Sequence, residues 1–233
     1  MTGIELKAGK MYHHGQKVKS YYVRETLISF IDYLPRRSVL VGHNMHQKDA
    51  RWLIYQLEKE GLMAEFERKV CGFLDTFHLA KELYPERKDN GGFGQVALVQ
   101  DLLGVEYSAH NAVDDAEHLM QLLRHMKSPT NSNVIRKHTM NFQCAIDRYN
   151  HNELTWENYD TLLPLVDRNL LERNMAKRAA SSGLGIEHLR MAAKSPQGIK
   201  NLFSKPGAMK RMPRVTNSKN ICQRVQKYFD EEE

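Results

Sequence analysis

The stretch SVLVGHNMHQKD, residues 38–49, decides the fold class. It opens with a short apolar run, residues 38–42, of the kind that forms a buried parallel strand with helices on both faces. Asp49 then begins a segment with helical periodicity. A second apolar run, VCGFL at 70–74, also leads into a predicted helix. Because buried strands alternate with helices, the sequence predicts an α/β domain that contains a parallel strand pair.

Amphipathic helices surround these two strands. Residues 23–34 place their apolar side chains on one stripe, and Pro35 ends the segment. Further helices are predicted at 49–61, 76–83, 93–103 and 111–126. The predicted organisation is a domain over 1–127, a turn-rich linker at 128–133, short helices over 134–203 and a basic, disordered tail at 204–233.

Charge is distributed unevenly along the chain. Residues 1–127 contain 17 basic and 17 acidic residues, whereas residues 128–233 contain 17 basic and 11 acidic residues. A one-sided positive segment is typical of contact with a polyanion, and a solvated tail or a nuclear-import signal is the alternative. No apolar run reaches the roughly 18 residues of a membrane span, and no signal peptide is evident. The sequence therefore predicts an intracellular, nuclear protein without membrane contact.

Two stretches each combine a histidine with a carboxylate. The first contains His43, Asn44 and Asp49, and the second contains His110 and Asp115. Mg²⁺ prefers oxygen ligands, and a histidine near neutral pH can accept a proton from an attacking water. The pattern favours a metal-dependent phosphodiester hydrolase. The alternative is structural, because an HN pair often forms a turn and acidic residues stabilise the start of a helix.

The order of these motifs resembles the DEDDh family of 3′–5′ exonucleases, which have a ribonuclease H-like fold. TGI, VLVGHN with its later Asp, VCGFLDT, FGQVALVQDLLG and SAHNAVDDA follow that family in order over residues 2–126. The HN-x4-D spacing and the segment KMYHHGQKV look most like the exonuclease-like C-terminal domain of the promyelocytic leukaemia protein and its fish relatives. Residues 180–203 are similar to the helical extension that follows that domain.

The resemblance implies a role for each matched residue. Asp49 and Asp115 would be the carboxylate ligands of Mg²⁺ or Mn²⁺, and His110 would be the general base. These three residues form the expected catalytic group. The residues expected to contact the terminal nucleotide are Thr2, Gly3, Ile4 and Asn44.

One family motif, an Asp-x-Glu on the first strand, has no counterpart in the sequence, which starts at TGI. We therefore expect a partial ribonuclease H-like fold that lacks its first strands, with an all-α extension and a basic tail. We also expect weak binding of Mg²⁺ or Mn²⁺, little hydrolysis and an unpaired edge on strand 38–42. The predicted function is an exonuclease-like domain that binds the 3′ end of DNA or RNA. A non-catalytic scaffold or protein-interaction module is the alternative.

Zinc is not expected from the histidines that lie close together in sequence. His13 is adjacent to His14, and His43 lies near His46, but no cysteine is nearby. His78 is expected to be a surface or core-edge residue of its helix.

Overall fold

The computed structural model describes residues 3–89, 92–107, 109, 111–127, 131–206 and 212–232. The chain divides into two compact units, Met1–Ile146 and Asp147–Glu233. Among the described residues, no helix combines the length and the apolar character that crossing a lipid bilayer requires.

The N-terminal unit opens with a small antiparallel meander. Its strands are β1 (Ile4–Lys7), β2 (Lys10–His13) and β3 (Gln16–Lys17). Both two-residue turns have positive φ angles at each residue, 47° and 71° at Ala8 and Gly9 and 48° and 79° at His14 and Gly15. Such turns match the twist of the strands that they connect. The sheet is largely exposed, and Leu6 keeps 74% of its surface accessible. The meander therefore buries little apolar surface.

The second sheet contains the strands that the apolar runs predicted. Its strands are β4 (Ser38–Gly42), β5 (Val70–Asp75) and β6 (Thr139–Asn141), in the order β4–β5–β6. The β4–β5 pair is parallel and the β5–β6 pair is antiparallel. Within the described part of the chain, β4 pairs with β5 alone, which confirms the expected free edge.

β6 was not predicted, because its three residues, TMN, carry no apolar alternation. Its backbone approaches β5 closely at Gly72. A β-carbon on Gly72 would lie 2.5 Å from the carbonyl oxygen of Met140, so only glycine fits there without a shift. The strand therefore arises from tertiary pairing rather than from its own sequence.

α-Helices precede and follow the buried strands of the N-terminal unit. They are α1 (Val23–Tyr33), α2 (Asp49–Lys59), α3 (Met63–Glu67), α4 (Thr76–Leu83), α5 (Gln95–Leu103), α6 (Ala112–Met126) and α7 (Ser132–Lys137). The helices predicted one by one agree with these bounds to within two residues. α3 was not predicted, and α7 begins two residues before the segment of short helices expected from residue 134. Apolar side chains of β5, α4, α5 and α6 form one core, made of Leu74, Leu79, Ala80, Leu98, Val99, Leu122 and Met126.

The remaining elements are all helical. They are α8 (Phe142–Asp167), α9 (Arg173–Ser181), α10 (Ile186–Ala193), α11 (Gly198–Ser204) and α12 (Lys219–Asp230). Short helices were predicted over 134–203, but α8 alone has 26 residues.

The prediction of a disordered tail at 204–233 is wrong for its described residues. α12 is amphipathic, and its buried face consists of Ile221, Cys222, Val225 and Phe229. Val215, in the segment before α12, is fully buried, and its N–H donates to the carbonyl oxygen of Phe203 at 2.9 Å. The basic composition concealed this apolar face, which joins the core of the C-terminal unit.

Candidate functional site

The carboxyl ends of β4 and β5 carry the polar residues of the candidate site. Parallel pairing places Gly42 opposite Asp75 at the carboxyl-terminal end of both strands, the position where open α/β sheets bind ligands. Beyond Gly42, the chain turns through Asn44, which has a left-handed backbone with φ of 63°. Asparagine adopts this conformation more readily than most residues. The turn then delivers Asp49 to the first position of α2.

His43 fastens this turn to two other segments. Its Nε2 lies 2.8 Å from the carbonyl oxygen of Phe93, and its Nδ1 lies 3.0 Å from the Thr76 hydroxyl. Burial lowers the pKa of His43, although the hydrogen bond to Phe93 and the charge of Asp75 oppose this shift. The neutral ring therefore donates from Nε2 to the Phe93 carbonyl oxygen. The single hydrogen of the Thr76 hydroxyl then has two acceptors within reach, His43 Nδ1 and the carbonyl oxygen of Gly42 at 3.2 Å.

Asp75 is fully buried and anchors the other side of the turn. Its Oδ1 accepts from the N–H groups of Asn44 and Phe77 at 3.0 Å each, and its Oδ2 accepts from the N–H of His46 at 3.1 Å. Burial alone would raise the pKa of this carboxyl, but the N–H and charge of His46, the N–H of Phe77 and the charge of His78 outweigh it and lower the pKa. Asp75 thus joins the turn to α4, whose N-cap it provides.

Asp49, a predicted metal ligand, lies at the same carboxyl-terminal end of the strands. A β-carbon on Gly42 would lie 3.3 Å from Asp49 Oδ2, so this carboxylate sits over the end of β4. Partial burial raises the pKa of Asp49, as does the negative charge of Asp75, while its own N–H and the charge of Lys48 oppose the shift. Two carboxylates in proximity favour a nearby cation.

Asp115, the second predicted ligand, lies in the first turn of α6. The side-chain amide of Gln95 donates to the Asp115 carbonyl oxygen at 2.7 Å and to the Tyr107 hydroxyl at 3.1 Å. Burial raises the pKa of Tyr107, and a hydrogen bond to the Asp115 carboxylate raises it further. The Asn111 side chain caps α6 by accepting from the N–H of Val113 at 3.1 Å.

The segment at 93–95 contacts both the His43 ring and the backbone of Asp115. Phe93 accepts the hydrogen bond from His43, beside the end of β4, and Gln95 donates to Asp115, at the start of α6. Cα atoms two residues apart are separated by at most about 7 Å. These contacts place the start of α6 and the turn that follows β4 on one rim of the N-terminal unit.

The other predicted site residues are placed less favourably or lie outside the description. His110 and Thr2 fall outside the described residues. Gly3 precedes β1 and Ile4 begins it, so three strands separate them from α1, whereas the resemblance implied a segment just before the first helix. Asn44 lies at the site, where its N–H binds Asp75.

Sequence reasoning missed Asp75 and its two histidine neighbours. In the described part of the chain, the group of potential metal ligands that lie within 4.8 Å of one another consists of His46, Asp75 and His78. Neither Asp49 nor Asp115 belongs to it. The position of Asp75, directly after an apolar strand and before a helix, was the available signal.

Comparison with known families assigns both parts of the chain. The family model described as "Exonuclease" matches residues 9–123, and the model described as "PML, C-terminal domain" matches residues 158–232. No curated protein matches the chain significantly. The mixed α/β fold of the first region and the helical fold of the second agree with these matches. Residues 9–123 thus match the exonuclease family and have a partial ribonuclease H-like fold, and residues 158–232 match the PML C-terminal domain.

Proposed function

We propose that the exonuclease-family region binds the 3′ end of a nucleic-acid strand at the rim formed by the turn after β4 and the start of α6. The observation that carries the proposal is the pair of contacts through the 93–95 segment, from His43 to Phe93 and from Gln95 to Asp115. These contacts support a shared location for Asp49 and Asp115, the two carboxylates that the motif resemblance assigns to a metal. A strand terminus bound there would present its phosphates to this rim.

A divalent cation fits this rim by the chemistry of its donors. Asp49 and Asp115 offer carboxylate oxygens, which Mg²⁺ and Mn²⁺ prefer. Such an ion would neutralise phosphate charge. Two carboxylates without phosphate hold Mg²⁺ weakly. We therefore propose that the ion is retained mainly in the nucleic-acid complex.

Binding rather than efficient hydrolysis is the activity that these residues support best. Asp75, the third carboxylate at this end of the sheet, is held by three backbone N–H groups and lies beside the His46 and His78 rings, so we do not assign it to this ion. We assign Asp49 and Asp115 alone, fewer carboxylates than a two-cation hydrolytic site commonly uses. His110 stays the proposed general base in any residual hydrolysis.

Oligonucleotide binding by the full chain tests this proposal. We expect a 5′-labelled single strand with a free 3′ hydroxyl to bind more tightly in Mg²⁺ than in chelator, and more tightly than a circular strand of the same sequence. Asp49→Asn and Asp115→Asn should each weaken the Mg²⁺-dependent binding by about 10- to 100-fold, since each removes a charged interaction of roughly 1.5–3 kcal/mol.

Asp114→Asn is the matched control, because it removes the adjacent carboxylate in the same helical turn. Equal affinity for linear and circular strands, or equal loss in the control, would contradict end recognition and favour a protein-interaction module. Release of nucleotides from a labelled 3′ end, abolished by Asp115→Ala, would show that the region is a working nuclease and that the non-catalytic assignment is wrong.

The basic C-terminal segment is proposed to add electrostatic affinity and to direct the protein to the nucleus. Residues 188–229 contain ten basic residues and no acidic residue. Lys200, Lys219 and Lys227 line one groove between α11 and α12. Affinity for polyanions should therefore fall as salt rises. A Lys219→Gln/Lys227→Gln double variant should show a shallower salt dependence.

A further inference from the structure

We infer that His46, Asp75 and His78 form a binding site for a divalent transition-metal ion such as Zn²⁺, distinct from the Asp49 and Asp115 carboxylates. The turn after β4 provides His46, the end of β5 provides Asp75 and the first turn of α4 provides His78. One ligand atom of each residue lies within 4.8 Å of the other two. The three ligands therefore come from three elements that meet at the carboxyl-terminal end of β4 and β5.

The spacing of the ligand atoms suits a small ion. Asp75 Oδ2 lies 3.3 Å from His78 Nδ1 and 3.8 Å from His46 Nδ1. Ligand atoms around a tetrahedral Zn²⁺ with bonds of about 2.0–2.1 Å lie about 3.3–3.4 Å apart. Small side-chain rotations would therefore bring all three atoms to bonding distance.

The hydrogen bonds of His46 leave the correct nitrogen available. Its Nε2 lies 3.1 Å from the carbonyl oxygen of Phe73, which can only accept, so Nε2 carries the proton in the neutral ring. The lone pair of Nδ1 then faces Asp75. Metal-binding histidines commonly donate their other ring N–H to a backbone carbonyl in this way, since the bond fixes the tautomer and the ring orientation.

His78 provides the second indication of a ligand. Its Nδ1 is shielded from solvent and makes no hydrogen bond within the described structure, although the rest of the side chain is 42% exposed. The atom beside it is Asp75 Oδ2 at 3.3 Å, and a cation held between these two atoms would supply the interaction that the missing hydrogen bond leaves open. The His46 and His78 rings lie 6.2 Å apart and nearly parallel, at 27°, so both can approach one ion.

Asp75 is already fixed in place by the fold. The N–H groups of Asn44, His46 and Phe77 hold both carboxylate oxygens, while Oδ2 accepts from only one of them. Oxygen Oδ2 therefore retains capacity for a metal bond. A preorganised carboxylate with two imidazoles is a donor set that favours Zn²⁺ over Mg²⁺, and it leaves a fourth position for water.

The full chain, stripped with a chelator, tests the site directly. Titration with Co²⁺ should give the visible absorption of a tetrahedral ion, and Zn²⁺ should displace it with one equivalent bound at this site. His46→Gln and His78→Gln should each weaken Zn²⁺ binding by about 100-fold or more, because even loss of an outer-shell partner costs up to roughly 100-fold. His151→Gln, an exposed histidine of α8, is the matched control.

Hydrogen exchange separates binding from folding. Zn²⁺ should slow amide exchange in the peptides that cover residues 43–49 and 76–83 of the wild-type chain. The exchange rates of His46→Gln and His78→Gln should not change when Zn²⁺ is added. If loss of the hydrogen bond to Phe73 prevents His46→Gln from folding, the His78→Gln variant still tests the metal site, because His78 is partly exposed. Stoichiometric Zn²⁺ binding that survives in a folded His78→Gln chain, or no saturable Zn²⁺ binding to the wild-type chain, would overturn the proposal.

Discussion

Replacement of Asp75 by asparagine tests the role of this carboxylate in positioning the site. Asparagine keeps the shape and caps a helix as well as aspartate does, so the cap on α4 contributes little to the change. It retains one acceptor oxygen, however, whereas the carboxylate uses two to bind the N–H groups of Asn44, Phe77 and His46. With the amide oxygen in the Oδ1 position, the His46 N–H would face an NH₂ group.

The expected loss of stability in Asp75→Asn follows from these contacts. A hydrogen bond to a charged acceptor contributes about 1.5–3 kcal/mol, and an unsatisfied buried donor costs about 1–3 kcal/mol. Because these two values overlap and the turn can relax, we expect a loss of about 2–4 kcal/mol in chelator-treated protein. Local amide exchange should then accelerate by roughly 30- to 1000-fold.

Hydrogen-exchange mass spectrometry on the full chain measures this change by region. Peptides that cover residues 43–49 and 76–83 should show the largest acceleration, and peptides from α12 should show none. Asp32→Asn is the control, because it makes the same chemical change on an exposed residue of α1. Exchange at residues 43–49 within about threefold of wild type would refute the argued role, since that corresponds to well under 1 kcal/mol.

The pH dependence of the exchange difference between wild type and Asp75→Asn gives a second check. The folded pKa of Asp75 lies below its ordinary value, because hydrogen bonds and nearby histidine charges outweigh the effect of burial. The stability that it contributes is therefore present above the ordinary carboxyl pKa of about 4 and is lost as pH falls through the folded pKa. The difference between wild type and Asp75→Asn should be full at neutral pH and should narrow below about pH 4.

Three further predictions concern packing. Gly72→Ala should lower the free energy of unfolding of the N-terminal unit by about 2–4 kcal/mol in urea titrations, because the new β-carbon would meet the β6 backbone at 2.5 Å. The control Gly94→Ala, which has open space around it, should change this free energy by less than about 0.5 kcal/mol. Phe203→Ala should cost the C-terminal unit about 3–5 kcal/mol, since the ring is fully buried; a smaller loss by the same titration would show that the site collapses readily. Iodoacetamide should label the two exposed cysteines quickly and Cys222 only on unfolding, because burial raises the pKa of that thiol, and equal rates by mass spectrometry would contradict the described core.

The N-terminal unit could be predicted where local sequence and tertiary packing agree. The apolar runs of β4 and β5 favour buried strands, and the helices after them have regular apolar stripes. β6 could not be predicted, because its strand conformation depends on the space that Gly72 leaves opposite Met140. α12 was concealed by its basic residues, although its buried face repeats with helical spacing.

The candidate site was predictable only where a motif lies within one segment. Asp49 and Asp115 follow from short patterns with fixed spacing. The group formed by His46, Asp75 and His78 does not, because its members lie on a turn, a strand and a helix that meet only through the β4–β5 pairing. A single histidine carries no sequence signal of such a neighbourhood.

The left-handed backbone of Asn44 restricts which sequences this turn can explore. A β-branched residue at position 44 would clash with its own backbone, whereas glycine or aspartate would be accommodated. A library randomised over residues 43–48 and selected only for folding should therefore converge on glycine, asparagine or aspartate at this one position. Variation at the exposed Gln47 should be tolerated broadly, so engineered changes in ligand preference are best introduced there.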